Sequence, residues 1–156
     1  VQFRMIGGPG GTPLLTWPGW TPGIDELRDA VATWDPDVVV IQTMLFPGAE
    51  DPAAQDRYRD AVRALYDVAR SRGAHVFRVQ HRSPPTPDGA REMFVAQAIQ
   101  AQESAGRGIG VVPLDLAFAR CRRPFVSDGW HVSATGQRCH AAAVVEQVDA
   151  LRRVLG

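Results

Sequence analysis

DVVVIQT, residues 37–43, sets four consecutive β-branched residues between an aspartate and a polar pair. An unbroken apolar run of this length is what a strand covered on both faces needs, because successive side chains point to opposite sides of a sheet. Strands buried in this way belong to parallel sheets whose crossover helices lie on either face. The segment therefore sets an expectation for everything around it.

Working outward, three further stretches read as strands: VQFRMI (1–6), AHVFRVQ (74–80) and the short GVVPLD (110–115). Between them the period changes from two to 3.6. IDELRDAVATW (24–34) spaces Ile24, Leu27, Val31 and Trp34 as one helical stripe, and QDRYRDAVRALYDVARSRG (55–73) does the same with Tyr58, Ala61, Val62, Leu65 and Val68. Gly73 suits the C-cap of that helix. Residues 88–105 and 133–155 are predicted as two more helices, and Pro- and Gly-rich stretches at 7–23, around Pro47, Gly48 and Pro52, and at 83–87 as loops. An irregular loop with arginines and Cys121 precedes the last helix. Strand and helix thus alternate about four times, the pattern of an open parallel α/β sheet. Ligand sites in such sheets lie beyond the carboxyl ends of the strands.

A chain of 156 residues, 45% of them hydrophobic, suits one domain with a core of its own. The formal net charge is zero and the charges are scattered, so the sequence carries no electrostatic footprint for nucleic acid or an anionic membrane. No run approaches the roughly 20 apolar residues of a membrane span. All 17 basic residues are arginine. Cys121 and Cys139 lack metal-ligand spacing; a mutual disulfide and two ordinary thiols both fit the sequence, which leaves compartment undetermined. His75, His81, His131 and His140 lack a helical His-x-x-x-His arrangement, so neither a metal nor a cofactor is expected.

GGPGG, residues 7–11, follows the first strand and raises the question of a phosphate loop. A Walker-type loop needs a lysine, a Ser or Thr for magnesium, and a helix opening directly behind it. Here Thr12-Pro13 follows, the next helix waits until about Ile24, and the chain has no lysine. Nucleotide binding is not the reading these residues support.

The chemistry-bearing stretch is SDGWHVSATGQ, residues 127–137. Asp128 and His131 stand three residues apart in a turn, and Ser133 is placed to cap the final helix. A carboxylate beside an imidazole fixes its tautomer and stabilises the imidazolium formed when it takes a proton. The pattern Asp-Gly-x-His-hydrophobic-Ser/Thr-x-x-Gly, with an alanine-rich helix behind it, resembles the last block of the Ser-Gly-Asn-His (SGNH, or GDSL-type) hydrolases.

That resemblance implies a flavodoxin-like three-layer α/β/α sandwich with a parallel sheet, and a serine esterase or acyl hydrolase, an O-acetyl esterase or acyltransferase among the options. It implies Asp128 as the residue orienting His131, and His131 as general base and then general acid. Gly10, with Gly11 as the alternative, matches the glycine whose N–H serves the oxyanion hole. Where the family has Gly-x-Asn after a strand, this chain has Met44 and Phe46, with Gln42 and Thr43 as the nearest polar groups, which leaves Thr43 and Met44 as the candidates beside the oxyanion site. Its substrates would be small-molecule or carbohydrate acyl esters, which Pro, Trp and Arg in loops 12–22 and 81–87 could line; solvated loop residues account for them equally well. The nucleophile block has no match, since Ser71, Ser83, Ser104, Ser127 and Ser133 occupy helical, proline-rich or capping contexts. The expectation is that the first strand and the nucleophile lie upstream and that this chain alone is inactive. The alternative is a non-catalytic binding module on the same fold.

Overall fold

The computed structural model describes residues 23–42, 50–129 and 131–155. The elements run α1 (Gly23–Trp34), β1 (Val38–Ile41), α2 (Pro52–Arg70), β2 (His75–Gln80), α3 (Pro87–Ser104), β3 (Gly110–Pro113), α4 (Leu114–Ala119) and α5 (Ala134–Leu155). The strands form a parallel sheet of order β1-β2-β3, with Val38 opposite His75, Ile41 opposite Arg78, Phe77 opposite Gly110 and Gln80 opposite Pro113. The segment read as a strand at 1–6 lies outside the described residues.

Alternation along the strands sorts the core into two layers. Ile41 and Val76 pack on Leu27 and Val31 of α1, on Tyr58, Val62 and Leu65 of α2, and on Ala96 and Ile99 of α3. Phe77, Val79 and Val112 point the other way, onto Leu114 and Phe118 of α4 and Ala143 of α5. Helices therefore cover both faces, giving the α/β/α arrangement. Fully covered side chains such as Val62 and Val112, both at 0% exposure, each contribute about 1.5–3 kcal/mol.

Helix boundaries differ from expectation at two prolines expected in loops. Pro52 opens α2, because the Asp51 side chain accepts from Ala53 N–H at 3.0 Å and a first-turn proline has no hydrogen bond to lose. Pro87 opens α3 in the same way behind Thr86, whose hydroxyl accepts from Gly89 N–H at 3.3 Å. The last strand is shorter than predicted. It stops at Pro113, and residues expected as strand end and irregular loop form α4, which buries Leu114 and Phe118 one turn apart. α2 ends at Arg70 with Ser71 as its C-cap, and Gly73, at φ +85°, closes the following turn.

Between α2 and α3, Gln100 donates to the Tyr58 hydroxyl at 2.7 Å. Nearby, the Glu103 carboxylate is 8% exposed and receives Arg63 at 2.7 Å and Arg59 at 3.1 Å. The hydrogen bond from Arg63 is the main reason its pKa falls below the ordinary value. Among the described residues no helix is long and apolar enough to cross a membrane.

Candidate active site

After α4 the chain folds back on itself as a small hairpin that ends in α5. Phe125 and Val132 pair as an antiparallel bridge, Val126 N–H donates to His131 C=O at 2.9 Å, and Gly129 N–H donates to Val126 C=O at 3.0 Å. Gly129 takes φ +70°, a conformation costly for any residue with a Cβ. Val132 and Phe125 pack against the α4–α5 side of the core, and the Phe125 ring meets Phe118 edge-on at 5.0 Å. The hairpin is thus anchored by its apolar residues.

Its polar residues are held from one side chain. Asp128 Oδ1 accepts the backbone N–H of His131 at 2.9 Å, while Oδ2 lies 2.6 Å from His131 Nδ1. One carboxylate fixes both the backbone and the ring of the same residue. With Nδ1–H donating to the carboxylate, Nε2 keeps its lone pair and can accept a proton. The His131 side chain is 76% exposed and that of Asp128 46%, so the lone pair is open to an incoming group. That exposure also means the pair gains full electrostatic strength only when a bound molecule displaces water.

Three features tie this turn to the rest of the fold. Ser133 caps α5: its Oγ accepts from Gly136 N–H at 3.1 Å and donates to Arg123 C=O at 2.8 Å. Gly136 lets the helix lie directly on the hairpin, since a Cβ there would stand 2.0 Å from Pro124 C=O. Cys121 and Cys139 form a disulfide with Cα atoms 6.3 Å apart, so the two ordinary thiols also compatible with the sequence are not what the fold contains.

The hairpin stands at the carboxyl edge of the sheet, because Arg82, two residues after β2, places its guanidinium 4.7 Å over the Phe125 ring. His81 precedes it, its carbonyl accepting from Gln97 Nε2 at 2.6 Å. Burial, with a further push from His140, lowers the His81 pKa to about 4, and His81 Nε2 has no hydrogen-bond partner among the described residues. Burial likewise lowers His140. Asp115, at the start of α4, is raised by burial, with Arg82 opposing.

The structure brings Asp128 and His131 together. Gly10, Gly11, Thr43 and Met44 lie outside the described residues. The Ser71, Ser104 and Ser133 hydroxyls donate to main-chain carbonyls at 2.8, 2.9 and 2.8 Å respectively. Sequence reading did not find the approach of His81 to His140, which are 59 positions apart and share no motif. Among the described residues no group of three or more His, Cys, Asp or Glu side chains is gathered as a metal site would require.

No protein-family model matches the sequence, and no curated protein is detectably similar to it. Among solved structures the chain is similar to a protein from Slackia heliotrinireducens named "a putative SGNH hydrolase", at 21% identity and a TM-score of 0.59. The match covers 81% of this chain and 73% of that one. At this identity the likeness is one of fold. With the parallel sheet and its two helix layers, it gives the chain the flavodoxin-like α/β architecture of an SGNH hydrolase.

Proposed function

We propose that the protein is an ester hydrolase of the SGNH type, with the Asp128–His131 turn as the base half of its catalytic machinery. The observation that carries this reading is the 2.6 Å contact between Asp128 Oδ2 and His131 Nδ1 at the carboxyl edge of a parallel sheet. Asp128 holds the ring with Nε2 outward and offsets the positive charge when that nitrogen is protonated. His131 Nε2 takes the proton of an attacking serine hydroxyl and returns it to the leaving alcohol. Gly10 N–H, or Gly11, is assigned to the negative oxygen of the tetrahedral intermediate, and Thr43 and Met44 to substrate binding, on the resemblance of their sequence positions. The serine is not among those in the described hairpin and helices. Acyl esters of small molecules or carbohydrates are the proposed substrates.

A fluorophosphonate probe applied to the natural full-length protein tests this reading. One serine should be labelled, and His131→Ala should abolish labelling by removing the base. Absence of labelling in the wild-type protein would overturn the hydrolase assignment in favour of a binding module.

A further inference from the structure

β2 carries an arginine, Arg78, inside the core. It stands on the central strand of the sheet, opposite Ile41 of β1 and Val111 of β3, and is only 8% exposed. Alternation puts it on the face of Val76, which α1, α2 and α3 cover. Its Nε and Nη1 are sealed from solvent there, and no hydrogen-bond acceptor meets either atom. Tyr66 of α2, 1% exposed, lies close enough to feel the charge: burial pushes the phenol pKa up to about 12, and Arg78 is the foremost group opposing that rise.

Among the described residues no carboxylate pairs with Arg78. Glu103 is the single buried one, and it is shared by three other arginines, Arg63 at 2.7 Å, Arg59 at 3.1 Å and Arg107 at 3.4 Å. The stretches outside the described residues, 1–22 and 43–49, contain no Asp or Glu. Both edges of β2 are paired and its face is covered by helices, so a distant segment has no route to the guanidinium. An isolated buried charge is far more costly than a buried neutral group. Where a lysine would shed its proton, a guanidinium keeps it. Water supplies acceptors to such a group but no opposing charge.

We infer that Arg78 binds a small monovalent anion, chloride or another halide, in the interior between β2 and α2. Nε and Nη1 each share an edge of the planar guanidinium with Nη2, so an ion at either edge receives two N–H donors. Sealing by the surrounding side chains favours a small ion that gives up its water readily over phosphate or sulfate. The Asp128–His131 turn packs on the opposite face of the sheet, through Phe125 and Val132, so this site stands whether or not the protein is a hydrolase. Its effect is on stability, because the helix layer then closes over a neutral pair in place of a lone cation.

Thermal denaturation of the natural full-length protein tests this, with sodium chloride replacing sodium gluconate at a fixed ionic strength of about 0.2 M so that screening stays constant. Gluconate is too large for a sealed site. Once chloride exceeds its dissociation constant, Tm should rise by roughly 3–6 °C for each tenfold increase. Arg78→Met removes the charge and keeps an apolar side chain, so the rise should disappear in that variant. Its stability relative to wild type should be greatest when chloride is absent. A wild-type Tm indifferent to chloride, or an equal rise in Arg78→Met, overturns the inference and leaves water as the partner of the guanidinium. Should Arg78→Met fail to fold, wild-type crystals soaked in bromide decide the matter. An anomalous peak against Arg78 supports the site; peaks at surface positions alone, an adventitious ion only, overturn it.

Discussion

Replacing Gly136 by alanine should destabilise the protein, against the usual sign of such a change. In the body of a helix, glycine to alanine ordinarily gains about 1 kcal/mol from backbone entropy. Here the new Cβ would stand 2.0 Å from Pro124 C=O and 2.5 Å from Val132 Cγ1. Restoring van der Waals contact requires the hairpin and α5 to separate by ~1 Å, and a forced fit of one methyl group costs about 1–3 kcal/mol. Pro124 cannot withdraw freely, since its carbonyl accepts Ser133 N–H at 2.9 Å. Losing that bond adds about 1 kcal/mol. Set against the helix gain, the net loss is about 2 kcal/mol, or a fall in Tm of roughly 4–8 °C for a chain of this size. Urea denaturation of the wild-type protein, Gly136→Ala and Gln137→Ala measures it. The last is an exposed neighbour expected within about 0.5 kcal/mol of wild type. A Gly136→Ala protein as stable as wild type, with unchanged denaturant slope, would mean that α5 does not rest on the hairpin.

Other outcomes follow from the same geometry. The Cys121–Cys139 bridge spans 18 positions, so Cys121→Ser/Cys139→Ser should cost about 3 kcal/mol, and dithiothreitol should have the same effect on wild type alone. Asp128→Asn keeps an acceptor for the His131 N–H but removes the negative charge, and turnover of a cleaved ester should fall roughly 10³–10⁴-fold; unchanged turnover would take Asp128 out of the mechanism. His81 stays neutral in the fold down to about pH 4, while in the unfolded chain it takes up a proton near its ordinary value of 6.5. The unfolded state binds more protons across that window, so stability should decline as pH falls from about 6.5 towards 4, by up to about 1.4 kcal/mol per pH unit. His81→Leu should flatten that decline in pH-dependent denaturation, and an unaltered profile would contradict the burial of the ring.

Much of the fold was legible because its signals are local. Val38 to Ile41 announce a two-sided strand by composition alone, and the stripes on α1 and α2 follow from residues three and four apart. α4 escaped because six residues give only the pair Leu114 and Phe118, too few to establish a period against the neighbouring strand. Pro52 and Pro87 are ambiguous in the sequence because proline marks both a break and a helix start, and only the capping contacts of Asp51 and Thr86 decide between them. The Asp128–His131 pair was visible for the same reason as the helices, both members lying in one turn. The disulfide and the approach of His81 to His140 depend on which distant segments meet. No spacing rule encodes them.

Because the carboxylate and imidazole are neighbours along the chain, aligning them closes a very short loop and costs little entropy. Their mutual orientation is consequently insensitive to the packing of the sheet, and a mutation deep in the core would leave the pair intact. What such damage would change is the direction in which the whole turn faces. The positional vulnerability of the pair therefore lies in the joints that hold the turn, Gly136 and the Cys121–Cys139 bridge, more than in the turn itself.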